Sequence, residues 1–254
     1  MILTIDIGNT HIMCAGFVSS EPAFVVRMAT DPTKTEDEYA SKLLNILALY
    51  NVEKHNVKGA IISSVVPPLN AIIRKAVRII YGVDALVVGP GIKTGINIHC
   101  DDPASVGADL ICACVAANKL YGSPALIVDM GTATKLIVLN GKGAFEGVSI
   151  APGVLMGLEA LAERTAQLPV VSLEAPKSVI GKNTVDCMRS GIIYGAASMV
   201  DGMIDRINAE MGISLPVIAT GGLAETVVTH CKHSIIMDEL LVLRGLELIY
   251  QKNS

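Results

Sequence analysis

Two short stretches of this chain carry the same pattern: Ile5-Asp6-Ile7-Gly8-Asn9-Thr10 and Val128-Asp129-Met130-Gly131-Thr132-Ala133. Each follows a run of strand-forming residues, Ile2-Leu3-Thr4-Ile5 in one case and Ala125-Leu126-Ile127-Val128 in the other. Each then delivers a carboxylate, a glycine and small hydroxyl or amide residues. A strand that ends in such a turn suits phosphate. The glycine lets backbone N–H groups approach an anion, the Thr or Asn donates a hydrogen bond, and the Asp can hold a metal ion. One copy is weak, because Asp-x-Gly also makes ordinary hairpins. Two copies 123 residues apart, close to half of 254, point to a duplicated nucleotide-binding architecture.

The rest of the chain alternates strands with helices, the pattern of an α/β protein. Strands are predicted over residues 2–6, 12–17, 24–28, 59–66 and 85–88, and again over 125–129, 135–139, 144–150 and 217–220. A helix starts after Thr35, where Thr35-Glu36-Asp37-Glu38 spells a capping box, and Ala40, Leu43, Leu44 and Leu47 recur at helical spacing. Pro67-Pro68 opens a second helix that runs to about Tyr81. Others are expected over 110–118, from Pro152-Gly153 to Arg164, and over 186–211, with the remainder after Gly221-Gly222 mostly helical. Each half thus reads βββαβαβ. Two halves, 1–120 and 121–254, are expected to flank a nucleotide cleft, with the Gly-, Pro- and Asp-rich segment 89–109 supplying loops to it.

Composition narrows the function classes. Hydrophobic residues make up 51% of the chain and charged ones 17%, enough for a large core, so disorder is excluded. No apolar run reaches the roughly 18 residues of a membrane-spanning helix, and the N-terminus lacks the basic start of a signal peptide. The expected location is the cytoplasm. A net charge of −4 without Lys/Arg runs argues against nucleic-acid partners. The six cysteines form no Cys-x-x-Cys pair and read as reduced, mostly buried thiols.

In order along the chain, further motifs join the two turns: Gly95 through Asp109 with Pro103 and Gly107-Ala108-Asp109, then Ile150-Ala151-Pro152-Gly153, Thr165-Ala166-Gln167-Leu168-Pro169, Gly181-Lys182-Asn183-Thr184, Thr220-Gly221-Gly222-Leu223-Ala224 and Leu243-Arg244-Gly245-Leu246. Together they resemble the type III pantothenate kinases, members of the acetate and sugar kinase/Hsp70/actin superfamily. The resemblance implies a duplicated actin-like ATPase (ribonuclease H-like) fold and ATP-dependent phosphorylation of pantothenate to 4'-phosphopantothenate, the first step of coenzyme A biosynthesis. It implies that Asp6, Ile7, Gly8, Asn9, Thr10, His11, Ile12 and Met13 embrace the ATP phosphates, with Thr132 also on the nucleotide. Asp6 would hold the Mg²⁺ that accompanies ATP, and Asp129 an activating monovalent cation, K⁺ or NH₄⁺. Asp109 would be the catalytic base on the pantothenate hydroxyl. Cys100, Gly107, Ala108, Asp109, Leu110 and Thr184 would line the pantothenate pocket, Thr184 reaching it from the partner subunit of a homodimer.

Asp109 alone would read as a cap on the helix that follows it; the resemblance makes it a site residue. Three positions depart from the family pattern. Leu110 stands where an Arg is usual, Cys100 where a pocket Tyr is usual, and Lys135 where an uncharged residue is usual. Arg would offer the pantothenate carboxylate a planar pair of charge-assisted donors, and leucine offers none. These losses raise a competing reading: a paralogue with another acceptor, or a regulatory subunit. Lys135 either supplies positive charge near the phosphates or acceptor, or alternates outward into solvent.

Overall fold

The computed structural model describes residues 1–254 and resolves the duplication into two compact units. The first takes Met1–Ile96, Asp101–Lys119 and Leu241–Ser254; the second takes Asn97–Cys100 and Leu120–Leu240.

In the first unit, β1 (Ile2–Ile7), β2 (His11–Val18) and β3 (Glu21–Ala29) form an antiparallel meander. Helix α1 (Glu36–Ala48) leads to β4 (Gly59–Ser64), and α2 (Pro67–Tyr81) to the short β5 (Leu86–Val87). The sheet order is β3-β2-β1-β4-β5, with β4 parallel to β1. Leu3, Ile5 and Ile7 of the central strand are fully buried, as are Leu43 and Leu47 of α1 and Leu69 and Ile73 of α2 in the same core. Helix boundaries follow local chemistry. The Thr35 side chain accepts from the Glu38 N–H while the Glu38 carboxylate accepts from the Thr35 N–H, a complete capping box. Pro67 opens α2, and Gly82 ends it in the left-handed conformation at φ 73°.

Helix α3 (Ala108–Leu120) is buried from Leu110 to Ala117 without interruption, which is why its apolar pattern shows no single stripe. Cys112 and Cys114 both lie inside it, and all six cysteines are free thiols.

The second unit repeats the plan. Strands β6 (Ala125–Met130), β7 (Ala133–Leu139) and β8 (Phe145–Pro152) form the meander, followed by α4 (Val154–Arg164), α5 (Thr184–Met211), β9 (Val217–Thr220), α6 (Ala224–Val228) and β10 (Ile235–Met237). The order β10-β9-β6-β7-β8 is that of the first sheet written from the other end, and β9 is parallel to β6 as β4 is to β1. The α/β class and duplicated βββαβαβ plan expected from the sequence are thus present. Strand β10 falls within the tail expected to be mostly helical; three residues at a sheet edge carry too little alternation to read.

Helix α7 (Leu241–Asn253) packs against β1, β2 and β4, so the chain's last helix belongs to the first unit, where a cut at 120/121 would put it in the second. Two glycines explain the close fit. A Cβ on Gly245 would lie 1.9 Å from the Cys112 carbonyl oxygen, and one on Gly59 would meet the Tyr250 ring. Segment 97–100 is tied the other way: the His99 N–H donates to Phe145 O at 2.8 Å, and the Phe145 N–H to Asn97 O at 2.9 Å.

Candidate active site

The first Asp-x-Gly turn closes the β1–β2 hairpin. Asp6 stands opposite Met13 and Ile7 opposite Ile12. The Gly8 N–H donates to His11 O at 3.0 Å, and a Cβ on Gly8 would sit 3.0 Å from that same oxygen. Asn9, Thr10 and His11 are exposed, whereas Ile7 and Ile12 are fully buried. Of the residues predicted to embrace phosphate, those two offer only backbone. A residue that sequence reasoning missed braces the turn: the Thr30 hydroxyl donates to Gly8 O at 2.7 Å and its N–H to Thr10 O at 3.0 Å. Nothing in the sequence around Thr30 marks it; the contact exists because β3 returns beside the β1–β2 turn.

Asp109 lies in the first turn of α3, half-buried. Its Oδ1 would be 2.5 Å from a Cβ on Gly107, so the carboxylate folds back over the bare glycine. Burial drives the Cys112 thiol well above its ordinary range, and the negative charges of both Asp6 and Asp109 push it further the same way. One fully buried thiol thus lies within electrostatic reach of both Asp6 and Asp109. Ser63, near the end of β4, is fully buried beside the same thiol. Leu110 is 7% exposed, an apolar side chain turned away from solvent.

In the second unit Asp129 stands directly opposite Lys135 on the β6–β7 ladder. The Lys135 Nζ lies 3.1 Å from Asp129 Oδ2, with the side chains 21% and 14% exposed. Lys135 is therefore held on a carboxylate, and its outward, solvated alternative is set aside. The turn after β6 is pinned from both sides. The Gly131 N–H donates to Ala133 O at 3.1 Å, leaving Thr132 exposed. A Cβ on Gly153 would come within 2.1 Å of Thr132 O and 2.7 Å of Gly131 O. Gly221 has φ 98°, and its Cβ would meet the Met130 backbone at 2.6–2.8 Å. These contacts account for Gly153 in Ala151-Pro152-Gly153 and for Gly221 in Thr220-Gly221-Gly222.

Gly181-Lys182-Asn183-Thr184 forms the entrance to α5. Asn183 Oδ1 accepts from the Asp186 N–H at 2.9 Å, and Gly181 presses on the backbone at Cys187. Thr184, exposed, borders a hollow of about 650 Å³ with Leu161, Leu168, Lys182 and Met188. Cys100 is half-buried on the segment tied to Phe145. The expected site residues are carried by both units: Asp6 through Met13 and Gly107 to Leu110 by the first, Cys100, Asp129, Thr132 and Thr184 by the second.

Comparison with known proteins agrees with this architecture. The chain is 43% identical to a type III pantothenate kinase of Halalkalibacterium halodurans over 253 residues, covering 100% of both chains. It is 42% identical to another from Exiguobacterium sp., covering 100% of this chain and 99% of the other. Among solved structures, the activator of the 2-hydroxyisocaproyl-CoA dehydratase from Clostridium difficile superposes with a TM-score of 0.58 at 14% identity, over 99% of this chain and 96% of the other, which speaks to fold alone. With residues 2–206 matching the type III pantothenate kinase family model and full-length relatives of this similarity, the chain belongs to the type III pantothenate kinase family.

Proposed function

We propose that this protein transfers the γ-phosphoryl group of ATP to the hydroxyl of pantothenate, yielding 4'-phosphopantothenate at the entry to coenzyme A biosynthesis. The observation that carries the reading is the similarity to type III pantothenate kinases over the whole chain, and within the chain Asp109 folds back over the bare Gly107 in the first turn of α3. Phosphoryl transfer needs little more than alignment of nucleophile and phosphate with cations against the developing charge.

In the first unit the Gly8 turn takes phosphate, with Asn9 and Thr10 exposed; in the second, Thr132 is the exposed hydroxyl of the matching turn. Asp6, half-buried at a strand end and two residues before a glycine, fits a Mg²⁺ carried in with ATP. That ion offsets phosphate charge when bound. Asp109 accepts the hydroxyl proton of pantothenate as the oxygen attacks. Gly107, Ala108 and Leu110 border the acceptor, and Thr184 serves the site of a second copy in a homodimer. The exposed position of Thr184, with Val179 and Ile180 exposed at 65% and 78% just before it, supports that assignment. No helix is long and apolar enough to cross a membrane; we assign the reaction to the cytoplasm.

A coupled ADP-release assay with Mg-ATP and pantothenate tests the reading. Wild-type turnover is expected to depend on pantothenate, and Asp109→Asn to lower kcat by about 10²–10⁴-fold. Leu110 gives the pantothenate carboxylate no charged donor, so Leu110→Arg is expected to lower the pantothenate KM roughly tenfold or more. A silent wild type rescued by Leu110→Arg would indicate a different natural acceptor. Silence in both would overturn the kinase reading in favour of a regulatory subunit.

A further inference from the structure

The residues around Asp129 do not fit a free monovalent cation. Its Oδ2 already receives the Lys135 ammonium at 3.1 Å, and both side chains are largely withdrawn from water. A second positive ion at that carboxylate would face the fixed ammonium at contact range, where like charges repel strongly. The internal duplication sharpens the point. Asp6, the counterpart of Asp129 at the end of the first sheet's central strand, stands opposite the uncharged Met13. The chain thus builds the same strand-end carboxylate twice, and only the second faces a lysine across its hairpin ladder.

We propose that the Lys135 ammonium is this protein's own monovalent cation, performing in place what K⁺ or NH₄⁺ would do at Asp129, so that nucleotide binding and turnover are independent of either ion. A lysine side chain suits the role: one positive charge, three hydrogen-bond donors, and the same ammonium chemistry as NH₄⁺. Tethering it on the strand opposite Asp129 holds it there at a high effective concentration, whatever the free ion outside. The pair stands one ladder step before the Gly131–Ala133 turn, so the fixed ammonium sits on the very carboxylate that would otherwise hold the free ion. The inference rests on the reading of that turn as a nucleotide site.

The experiment compares wild type, Lys135→Ala and Lys135→Met in tetramethylammonium, potassium and ammonium chloride at one ionic strength. Three quantities are read: Mg-ATP affinity by calorimetry, pantothenate-dependent turnover, and melting temperature. Wild type is expected to vary by less than about twofold among the salts. Lys135→Ala opens a space beside Asp129; in tetramethylammonium its ATP affinity and turnover are expected to fall about tenfold or more, and K⁺ or NH₄⁺ to restore them and raise its melting temperature. Lys135→Met fills the same space without charge and is expected to remain low in every salt. Activation of wild type by K⁺, or Lys135→Ala unchanged in tetramethylammonium, would overturn the proposal. The affinity and melting measurements need no phosphorylation of pantothenate, so they decide the role of Lys135 even if the natural acceptor is another molecule.

Discussion

Gly107 is required by its neighbour rather than by its own backbone. Any side chain there meets the Asp109 carboxylate, whose Oδ1 would lie 2.5 Å from the new Cβ. The atom in the way belongs to a short side chain that can rotate, so the protein should fold while the Asp109 carboxylate, the proposed base, is displaced. Gly107→Ala is expected to reduce kcat roughly a hundredfold, with ATP affinity and melting temperature nearly unchanged; steady-state kinetics beside a thermal melt checks this. Asp6, Gly8, Asp129 and Gly131 were legible in the sequence because strand, carboxylate and glycine announce themselves locally. Lys135 was legible only as an oddity, for a geometric reason. Four residues, 8–11, separate the paired ends of β1 and β2, whereas three, 131–133, separate those of β6 and β7. Superposing the two motifs by sequence sets Leu136 where Met13 stands. The shorter turn shifts the register by one and brings Lys135 onto the face of Asp129.

At the level of elements, the turn after β6 is shaped as much by the end of β8 and the turn after β9 as by β6 itself. Gly153 approaches backbone oxygens, which cannot swing aside, while a Cβ added at Gly131 would have no neighbour nearer than 3.9 Å. Gly153→Ala is therefore expected to lower stability by about 1–3 kcal/mol and to weaken ATP binding, and Gly131→Ala to do markedly less to stability; urea titrations of the two variants give the comparison. Helix limits could be read where chemistry is local, as at the Thr35 capping box and between Pro67 and Gly82. Strand β3 begins at Glu21, earlier than its apolar core suggests, because Pro22 is tolerated on the outermost strand of its sheet. A motif such as Ala151-Pro152-Gly153 was visible, but its purpose was not, since the oxygens that exclude a side chain come from residues about twenty positions earlier.

The whole molecule is two copies of one sheet plan, and their half-chain spacing was the most readable fact in the sequence. What could not be read was the return of α7 to the first unit. That helix carries a buried acid, Glu247, which accepts from the Ser20 hydroxyl at 3.3 Å and also meets Gln251. Burial raises its pKa above the usual carboxylate value, outweighing the opposing effect of those hydrogen bonds. The folded state therefore binds this proton more tightly than the unfolded chain does. Its contribution is fully present below the ordinary value of about 4.3 and is lost as pH rises through the raised one. Glu247→Gln keeps the shape and removes the titration, so the variant should gain urea resistance relative to wild type between about pH 4 and pH 7. A matching difference at both ends would refute this. The returning helix also has a consequence for biogenesis. As the chain leaves the ribosome, β1, β4 and α3 emerge long before the segment that covers Gly59 and the Cys112 carbonyl has been translated. The first-made half must wait for α7, so a message cut short before codon 241 yields an N-terminal half with its apolar wall still open, a substrate for chaperones and proteases.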